Sequence, residues 1–437
     1  MNKSLANLLI FGALLVVGCG TSRDLALLRV ENALAEGRAD RARVHVAEYL
    51  ERHPNDAEAW RLGGEAWMSG NLRSPSRAVE HWQQYLTFEP DDQELTTRVA
   101  EALFVLGDFE DAATWVARAG EGARADLLRV RLALDADPER AREALERVME
   151  AEADGMDRRE VDALAARLYA QLDQADRALD HARQAIEADP FDLQSTYLAA
   201  RLERRGGNLE TATELLETHQ MLSRLVGAGS TAALIGAEAV EQIRELAQRV
   251  NADAVAFRLT LVRNLAELGE RGEAEELLTG LVEDSELTAA QRLELAGIAD
   301  RLDHFDLAGA FLDSVFMDAS TTQGNQSEAL VGLAVLAHRE GEQAAYRDRV
   351  DQGLVRFPTS ARFHHLDGRI RLADGERDAA SRSLQRALEL APWNVDCRLD
   401  LANVYLADGR LDEVEALIDA APEESAEIDA YRRRHGF

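Results

Sequence analysis

Glycines at a fixed spacing constrain this chain of 437 residues more than any other feature. Gly341, Gly375 and Gly409 lie 34 residues apart. An alanine follows a glycine by five residues in the pairs Gly37/Ala42, Gly107/Ala112, Gly207/Ala212, Gly269/Ala274 and Gly375/Ala380. Apolar residues recur at helical spacing from Leu25 to Ile418, and no stretch alternates like a strand. The pattern predicts an all-α stack of small units, each burying its apolar face against its neighbours.

Each recurring residue has a structural task in a pair of helices. Glycine ends the first helix because it adopts the left-handed conformation without a steric penalty. Alanine lets the two helices approach closely, and proline ends the second helix because it lacks an amide donor. Proline follows alanine by twelve residues in Ala42/Pro54, Ala78/Pro90, Ala178/Pro190 and Ala380/Pro392, and Pro358 follows Gly341 by seventeen. The repeating unit is therefore predicted to be a helix-turn-helix.

With this pattern the chain resembles the tetratricopeptide repeat family. The resemblance is best at two sets of residues: Trp60, Gly64, Trp67, Ala78, Trp82 and Pro90, and Gly368, Gly375, Ala380, Ala387 and Pro392. It implies a right-handed superhelical solenoid whose first helices line a concave, partner-binding face. Tyr346 and Val414 depart from the family by replacing an expected small residue. We predict an N-terminal block at 24–219, an irregular helical insert at 220–252, a C-terminal block at 253–421 and a capping helix or tail at 422–437.

The segment from Met221 to Val250 fits no phase of the repeat. Its glycine run at Gly227 and Gly229, with Ala232, matches a dinucleotide-binding pattern, but no predicted strand precedes it, so a turn between helices is the favoured interpretation. One helix is expected at 238–249. An alternative function places a cell-wall-acting enzyme site or a saccharide site here, which a groove of stacked aromatics and paired carboxylates would favour.

The first eighteen residues have the order of a secretory signal. Lys3 precedes an apolar run at 5–17, which is shorter than the roughly twenty residues of a spanning helix. The sequence Val16-Val17-Gly18-Cys19 resembles the lipobox of bacterial lipoproteins, which implies removal of 1–18, diacylation of Cys19 and a short tether at 19–23. An ordinary signal peptide is the alternative. Gly20, where an aspartate would favour the inner membrane, implies the outer membrane, with the protein facing the periplasm.

Charge and composition exclude several functions. The chain has 49 basic and 80 acidic residues and a net charge of −31, so nucleic acid is not an expected partner. Lys3, in the signal segment, is the only lysine, which excludes a P-loop and Schiff-base chemistry from the mature chain. A saline habitat and a GC-rich genome both explain this composition.

No motif predicts catalysis, a cofactor or a metal. Gly-x-Ser-x-Gly, Cys-x-x-Cys and His-Glu-x-x-His are missing from the sequence, and the neighbours His364 and His365 point to different faces of a helix. Cys397 has no predicted disulfide partner and is interpreted as a core residue. The tryptophans Trp60, Trp67, Trp82 and Trp115 are expected in the core between helices before any binding surface, and Trp393 at a helix junction. We expect a protein that is not an enzyme and has no small-molecule substrate.

The repeat phase predicts where a partner binds. Four acids are expected on the inner face of the membrane-proximal end, namely Glu58, Glu65, Glu94 and Glu101, and four residues on the equivalent face of the far end, namely Arg362, His365, Arg369 and Asn403. The arginines would hold carboxylates of a protein or peptide partner in the cell envelope. The competing interpretation pairs them with the chain's own acids, such as Asp367 and Asp396. By family analogy the expected role is a lipid-anchored scaffold for assembly of outer-membrane proteins, pili or polysaccharide export.

Overall fold

The computed structural model describes residues 25–70, 72–151, 158–226, 237–421 and 425–435. This part of the chain is built from helices and has no strand. The helices are α1 (25–35), α2 (Ala39–Arg52), α3 (Ala57–Met68), α4 (Pro75–Phe88), α5 (Gln93–Leu106), α6 (Phe109–Arg118), α7 (Ala123–Ala133), α8 (Pro138–Glu150), α9 (Arg158–Gln171), α10 (Ala175–Ala188), α11 (Leu193–Gly206), α12 (Leu209–Val226), α13 (Ala237–Ala247), α14 (Val255–Leu268), α15 (Arg271–Leu281), α16 (Ala289–Arg301), α17 (Phe305–Met317), α18 (Gln323–Arg339), α19 (Gln343–Arg356), α20 (Ala361–Ala373), α21 (Arg377–Leu390), α22 (Val395–Ala407), α23 (Leu411–Asp419) and α24 (Ala426–His435). Helices that are neighbours in the sequence pack against each other in pairs, which confirms the predicted helix-turn-helix unit.

The turns within the pairs follow the predicted glycine rule. The repeat glycines have positive φ values, from 70° at Gly37 to 89° at Gly207. Asp173 and Asp303 adopt the same region, with φ of 58° and 63°, each five residues before a buried alanine. Two further units therefore follow the repeat with aspartate in the glycine position, which aspartate tolerates better than most residues.

Small residues allow the helices of a pair to touch. A Cβ added at Gly64 would lie 2.1 Å from the indole nitrogen of Trp82, whose side chain is 1% exposed. Between successive pairs, a Cβ at Gly353 of α19 would lie 2.2 Å from the ring of Phe363 of α20. The repeat alanines are buried for the same reason, including Ala380 on α21. Close packing of this kind leaves no room for an added methyl group without movement of a neighbour.

The helices form two compact units. The first consists of the residues up to Asp92 and those from Val315 onward, so it combines α1–α4 with α18–α24. Its core joins residues far apart in sequence, because the apolar face of α1 packs with residues of α2, α3, α20 and α21 and with the residues that follow α21, in the set Leu27, Val30, Ala33, Val46, Leu62, Ala361, Leu390 and Trp393.

The second unit covers Gln93 to Ser314. Asp126, 4% exposed on α7, accepts hydrogen bonds from Arg129 of the same helix and from Arg147 of α8. Asp137 caps α8 by accepting a hydrogen bond from the Arg140 amide at 3.2 Å, and Pro138 begins that helix as the sequence predicts.

The predicted insert falls within the second unit. The helix α13 lies where a helix is expected at 238–249, whereas the glycine run at 227–236 lies outside the described residues. The block boundaries at 219, 252 and 421 stay a prediction. Among the described helices, none is both long and apolar enough to cross a membrane.

Candidate partner-binding site

The first helix docks on the C-terminal helices through paired hydrogen bonds, at a contact that we call the first-helix junction (residues 29–37 with 359–394). The side-chain amide of Asn32 donates to the Thr359 carbonyl at 2.9 Å and accepts from the Ala361 amide at 3.0 Å. Asn32 is 8% exposed, so both bonds are shielded from water. Arg29 adds a hydrogen bond to the Glu389 carbonyl at 2.7 Å. A two-sided amide contact fixes the register of α1 against the start of α20.

A carboxylate and an indole close the end of this junction. Trp393 is 3% exposed and donates its indole N–H to Glu36 Oε2 at 2.6 Å, while its ring lies 5.4 Å from the ring of His45. Burial raises the pKa of Glu36, and the Trp393 hydrogen bond and the charge of Arg362 oppose that shift. Trp393 thus occupies a helix junction.

An open cavity of about 580 Å³ adjoins Glu36 and carries mixed charge. Its lining brings together the turn after α1 and the C-terminal helices through Glu36, Glu328, Arg362 and Asn394, with Leu34, Ala35 and Gly37. Arg362 is half-buried and forms no ion pair or hydrogen bond with the described residues. Its charge acts on Glu36 in the same cavity, while its guanidinium N–H donors keep the geometry that binds a ligand carboxylate.

The four predicted site residues lie on two neighbouring first helices, α20 and α22. Arg362, His365 and Arg369 share one face of α20 because they are spaced by three and four residues. His365 Nε2 lies 2.8 Å from Asp400 Oδ2 of α22, so its imidazole is already engaged. Arg369 is exposed and has no ion-pair partner in the described part of the chain, and Asn403 of α22 is exposed.

The two acids expected to neutralise these arginines, Asp367 and Asp396, form no ion pair with them in the described part of the chain. Asp367, 7% exposed, accepts two hydrogen bonds from Arg371, at 2.8 and 3.0 Å, and one from the Ser383 hydroxyl. It binds neither Arg362 nor Arg369. The local charge balance on α20 therefore leaves two guanidinium groups unpaired on the face predicted to meet a partner.

The predicted acidic end is distributed differently from the expectation. Arg61 of α3 donates hydrogen bonds to both Glu58 and Glu65. The hydrogen bond to Glu58 is the main cause that raises the pKa of Arg61, and the charge of Glu65 adds to it. Glu94 and Glu101 lie on α5 in the other compact unit, where Glu101 forms a two-pronged ion pair with Arg124 at 2.5 and 2.6 Å.

The expected separation of a membrane-proximal end from a distant arginine end is wrong for the first unit. Glu36, which follows α1 directly, and Arg362 line one cavity. The physical reason is the first-helix junction, which sets the start of the chain against its C-terminal helices.

The described residues contain no cluster of three or more side chains suited to a metal ion. His364 Nε2 lies 2.9 Å from the Pro358 carbonyl and His365 bonds to Asp400, so the two histidines have separate partners. Cys397 is fully buried, with its sulfur 3.4 Å from the Leu384 carbonyl, and burial raises the pKa of its thiol. Each of these three side chains contacts the protein itself, and Cys397 is a core residue as the sequence predicts.

Two of the sequence hypotheses fall on residues that the structure does not describe. Cys19, the predicted lipidation site, belongs to residues 1–24. The glycine run of the insert, for which an enzyme or saccharide site is the alternative, belongs to 227–236. Both hypotheses stay predictions.

Sequence reasoning missed Asn32, Glu36 and Asn394. One signal was present, since Asn32 is a polar residue among the apolar positions Leu27, Val30 and Ala33 of α1. A buried amide in such a stripe requires a specific partner. Its partner lies more than 300 residues away, which no local pattern indicates.

Comparisons with known proteins support the repeat assignment. One family model described as tetratricopeptide repeat matches residues 371–433, and a second with the same description matches 70–126 and 163–220. No curated protein sequence matches the chain.

Three solved structures are similar along most of the chain. Yeast Tom70 has 13% identity and a TM-score of 0.34, with 94% of each chain covered. The Cut9 and Hcn1 tetramer of the APC/C has 12% identity and a TM-score of 0.32, with 93% of this chain and 95% of that one covered. Naa15/Naa10 bound to HypK-THB has 14% identity and a TM-score of 0.28, with 92% and 69% covered. Scores this low carry no information about partners.

Proposed function

We propose that this chain, whose residues 70–126, 163–220 and 371–433 match tetratricopeptide repeat models, is a lipid-anchored scaffold that binds a carboxylate-bearing partner segment in the cell envelope. The observation that carries the partner chemistry is the half-buried Arg362, which has no ion-pair partner among the described residues and lines an open cavity. Arg369 extends the same helix face. Bidentate pairing with carboxylates is the interaction that a guanidinium forms best.

The envelope location is supported by the N-terminal sequence. Val16-Val17-Gly18-Cys19 resembles a lipobox, and the preceding apolar run is too short for a permanent spanning helix. Five residues lie between Cys19 and Leu25, the first residue of α1. We propose that diacylated Cys19 holds the protein at the outer membrane, facing the periplasm, where it assists assembly of an envelope or secretion complex.

Partner capture tests the face of α20 that carries Arg362 and Arg369, which we call the arginine face. The double variant Arg362→Glu, Arg369→Glu should lose the partner that wild type captures from its own envelope, most clearly at low salt. The matched control is Arg382→Glu, Arg433→Glu, which makes the same charge change at two exposed arginines of the same unit. Equal capture by both double variants at matched folding would remove the arginine face from the mechanism.

Radiolabelled fatty acid tests the anchor. Wild type should incorporate label, whereas Cys19→Ser should give an unlabelled product that is unprocessed or released from the membrane. Label that persists in Cys19→Ser would contradict lipidation at this residue, and it would leave the arginine face to be judged by its own experiment.

A further inference from the structure

The turn between α5 and α6 exposes an apolar patch in the second unit, which we call the α5–α6 patch (Phe104, Val105, Leu106 and Phe109). Val105 is 73% exposed, Phe109 55% and Leu106 41%. The rings of Phe104 and Phe109 meet edge to face with centroids 5.2 Å apart, so Phe109 is held against the turn. Contiguous exposed apolar side chains are a mark of an interaction surface.

Equivalent turns of the same chain show that the repeat does not require this patch. The residue two positions before the turn glycine is Val105 here, whereas it is Glu267 before Gly269, Arg339 before Gly341, Ala373 before Gly375 and Ala407 before Gly409. A leucine directly before the glycine recurs, since Leu268 precedes Gly269 and is 39% exposed. A large apolar residue after the turn does recur, at Leu209 and Leu411. The repeat therefore accounts for Leu106 and Phe109 and leaves Val105, 73% exposed, without a packing role.

Three exposed carboxylates adjoin the patch in the sequence. Asp108, Glu110 and Asp111 are exposed and form no ion pair with the described residues. Acids in the first turn of a helix also complement its dipole, which accounts for part of this charge. Whatever covers the apolar side chains must nevertheless lie beside three carboxylates.

We propose that the α5–α6 patch binds a basic amphipathic helix of a partner protein, at a surface separate from the arginine face. Charge decides among the possible occupants. A second copy of this chain carries the same net charge of −31 and would be repelled, and an anionic lipid surface would be repelled by the same three carboxylates. A helix with apolar residues at i, i+3, i+4 and i+7 flanked by Lys or Arg satisfies both the apolar patch and its acidic rim.

A designed peptide tests the proposal directly. The probe is a labelled helical peptide with leucines at i, i+3, i+4 and i+7 and lysines elsewhere, titrated against the full-length protein by fluorescence anisotropy. The variant Val105→Ser, Phe109→Ser should weaken binding about tenfold or more, the size of effect seen for central apolar contacts. Leu209→Ser, Leu411→Ser is the matched control because these residues are 65% and 53% exposed at equivalent turns, and it should bind as wild type does.

The charge component has its own variant. Replacing the rim with Asp108→Asn, Glu110→Gln and Asp111→Asn should reduce the dependence of affinity on salt. Equal affinity of wild type and the Val105→Ser, Phe109→Ser variant would overturn the proposal, as would equal binding of a peptide whose lysines are replaced by glutamine. Dimerisation or binding to anionic vesicles that disappears in the patch variant would also overturn it, by assigning the patch to another occupant.

Discussion

Replacing Gly64 with alanine should destabilise the pair of α3 and α4, although alanine is the better helix former. The new Cβ would lie 2.1 Å from Trp82 Nε1 and 2.2 Å from Cδ1, and Trp82 is 1% exposed and therefore enclosed. Overpacking of this kind costs about 1–3 kcal/mol. The higher helix propensity of alanine offsets about 0.5–1 kcal/mol of this cost. The free energy of unfolding is therefore expected to fall by up to about 2.5 kcal/mol.

Replacing Gly297 with alanine should instead raise the free energy of unfolding. Gly297 lies inside α16, is exposed, and has nothing within 4 Å of an added Cβ. Gly297→Ala should therefore gain about 0.5–1 kcal/mol through helix propensity and a less flexible unfolded chain. Urea unfolding gives the overall change for each variant. Because repeat arrays open locally, hydrogen exchange in α3, α4 and α16 shows where the change acts.

A double-mutant cycle separates the clash from other causes. Trp82→Phe removes the indole nitrogen that the new Cβ would meet, so Gly64→Ala should cost less in that background. A coupling energy of about 0.5 kcal/mol or more between the two sites is expected. Equal destabilisation by Gly64→Ala in both backgrounds would refute the packing argument, and stabilisation by Gly64→Ala in wild type would refute it more directly.

Three shorter predictions address polar and reactive groups. Asn32→Ala should release α1 and speed hydrogen exchange of the Ala361 amide, at a cost of about 1–3 kcal/mol for the unpaired groups it leaves; unchanged exchange of that amide would contradict the docking of α1. Burial by itself would raise the pKa of Asp126, but hydrogen bonds from Arg147 and Arg129 lower it overall. The stabilising contribution of Asp126 is therefore present above its unfolded-state pKa and is lost as pH falls through its folded-state pKa. Asp126→Asn should accordingly weaken the acid dependence of unfolding, measured by urea titration across that pH range. The Cys397 thiol should react with a thiol reagent only on unfolding, since it is buried and its pKa is raised; fast reaction of the folded protein would argue against this burial.

The sequence by itself determined the repeating unit. Glycine, alanine and proline have local conformational and steric effects, and their spacing is sufficient to predict the turn, the close contact and the end of each pair. The same local logic explains why Asp173 and Asp303 escaped notice as turn residues, since aspartate has many other uses. The sequence also predicted that Arg362, His365 and Arg369 share one helix face, because that prediction depends only on helical periodicity.

Only the tertiary structure decided which of those residues are available and what lies next to them. Asp400 engages His365, and Arg371 takes Asp367, which leaves Arg362 and Arg369 unpaired. The docking of α1 on the C-terminal helices brings Glu36 beside Arg362 across more than 300 residues of sequence. A repeat pattern describes each unit against its neighbours, whereas this contact joins helices from opposite ends of the sequence within one compact unit, and no local spacing encodes such a pairing.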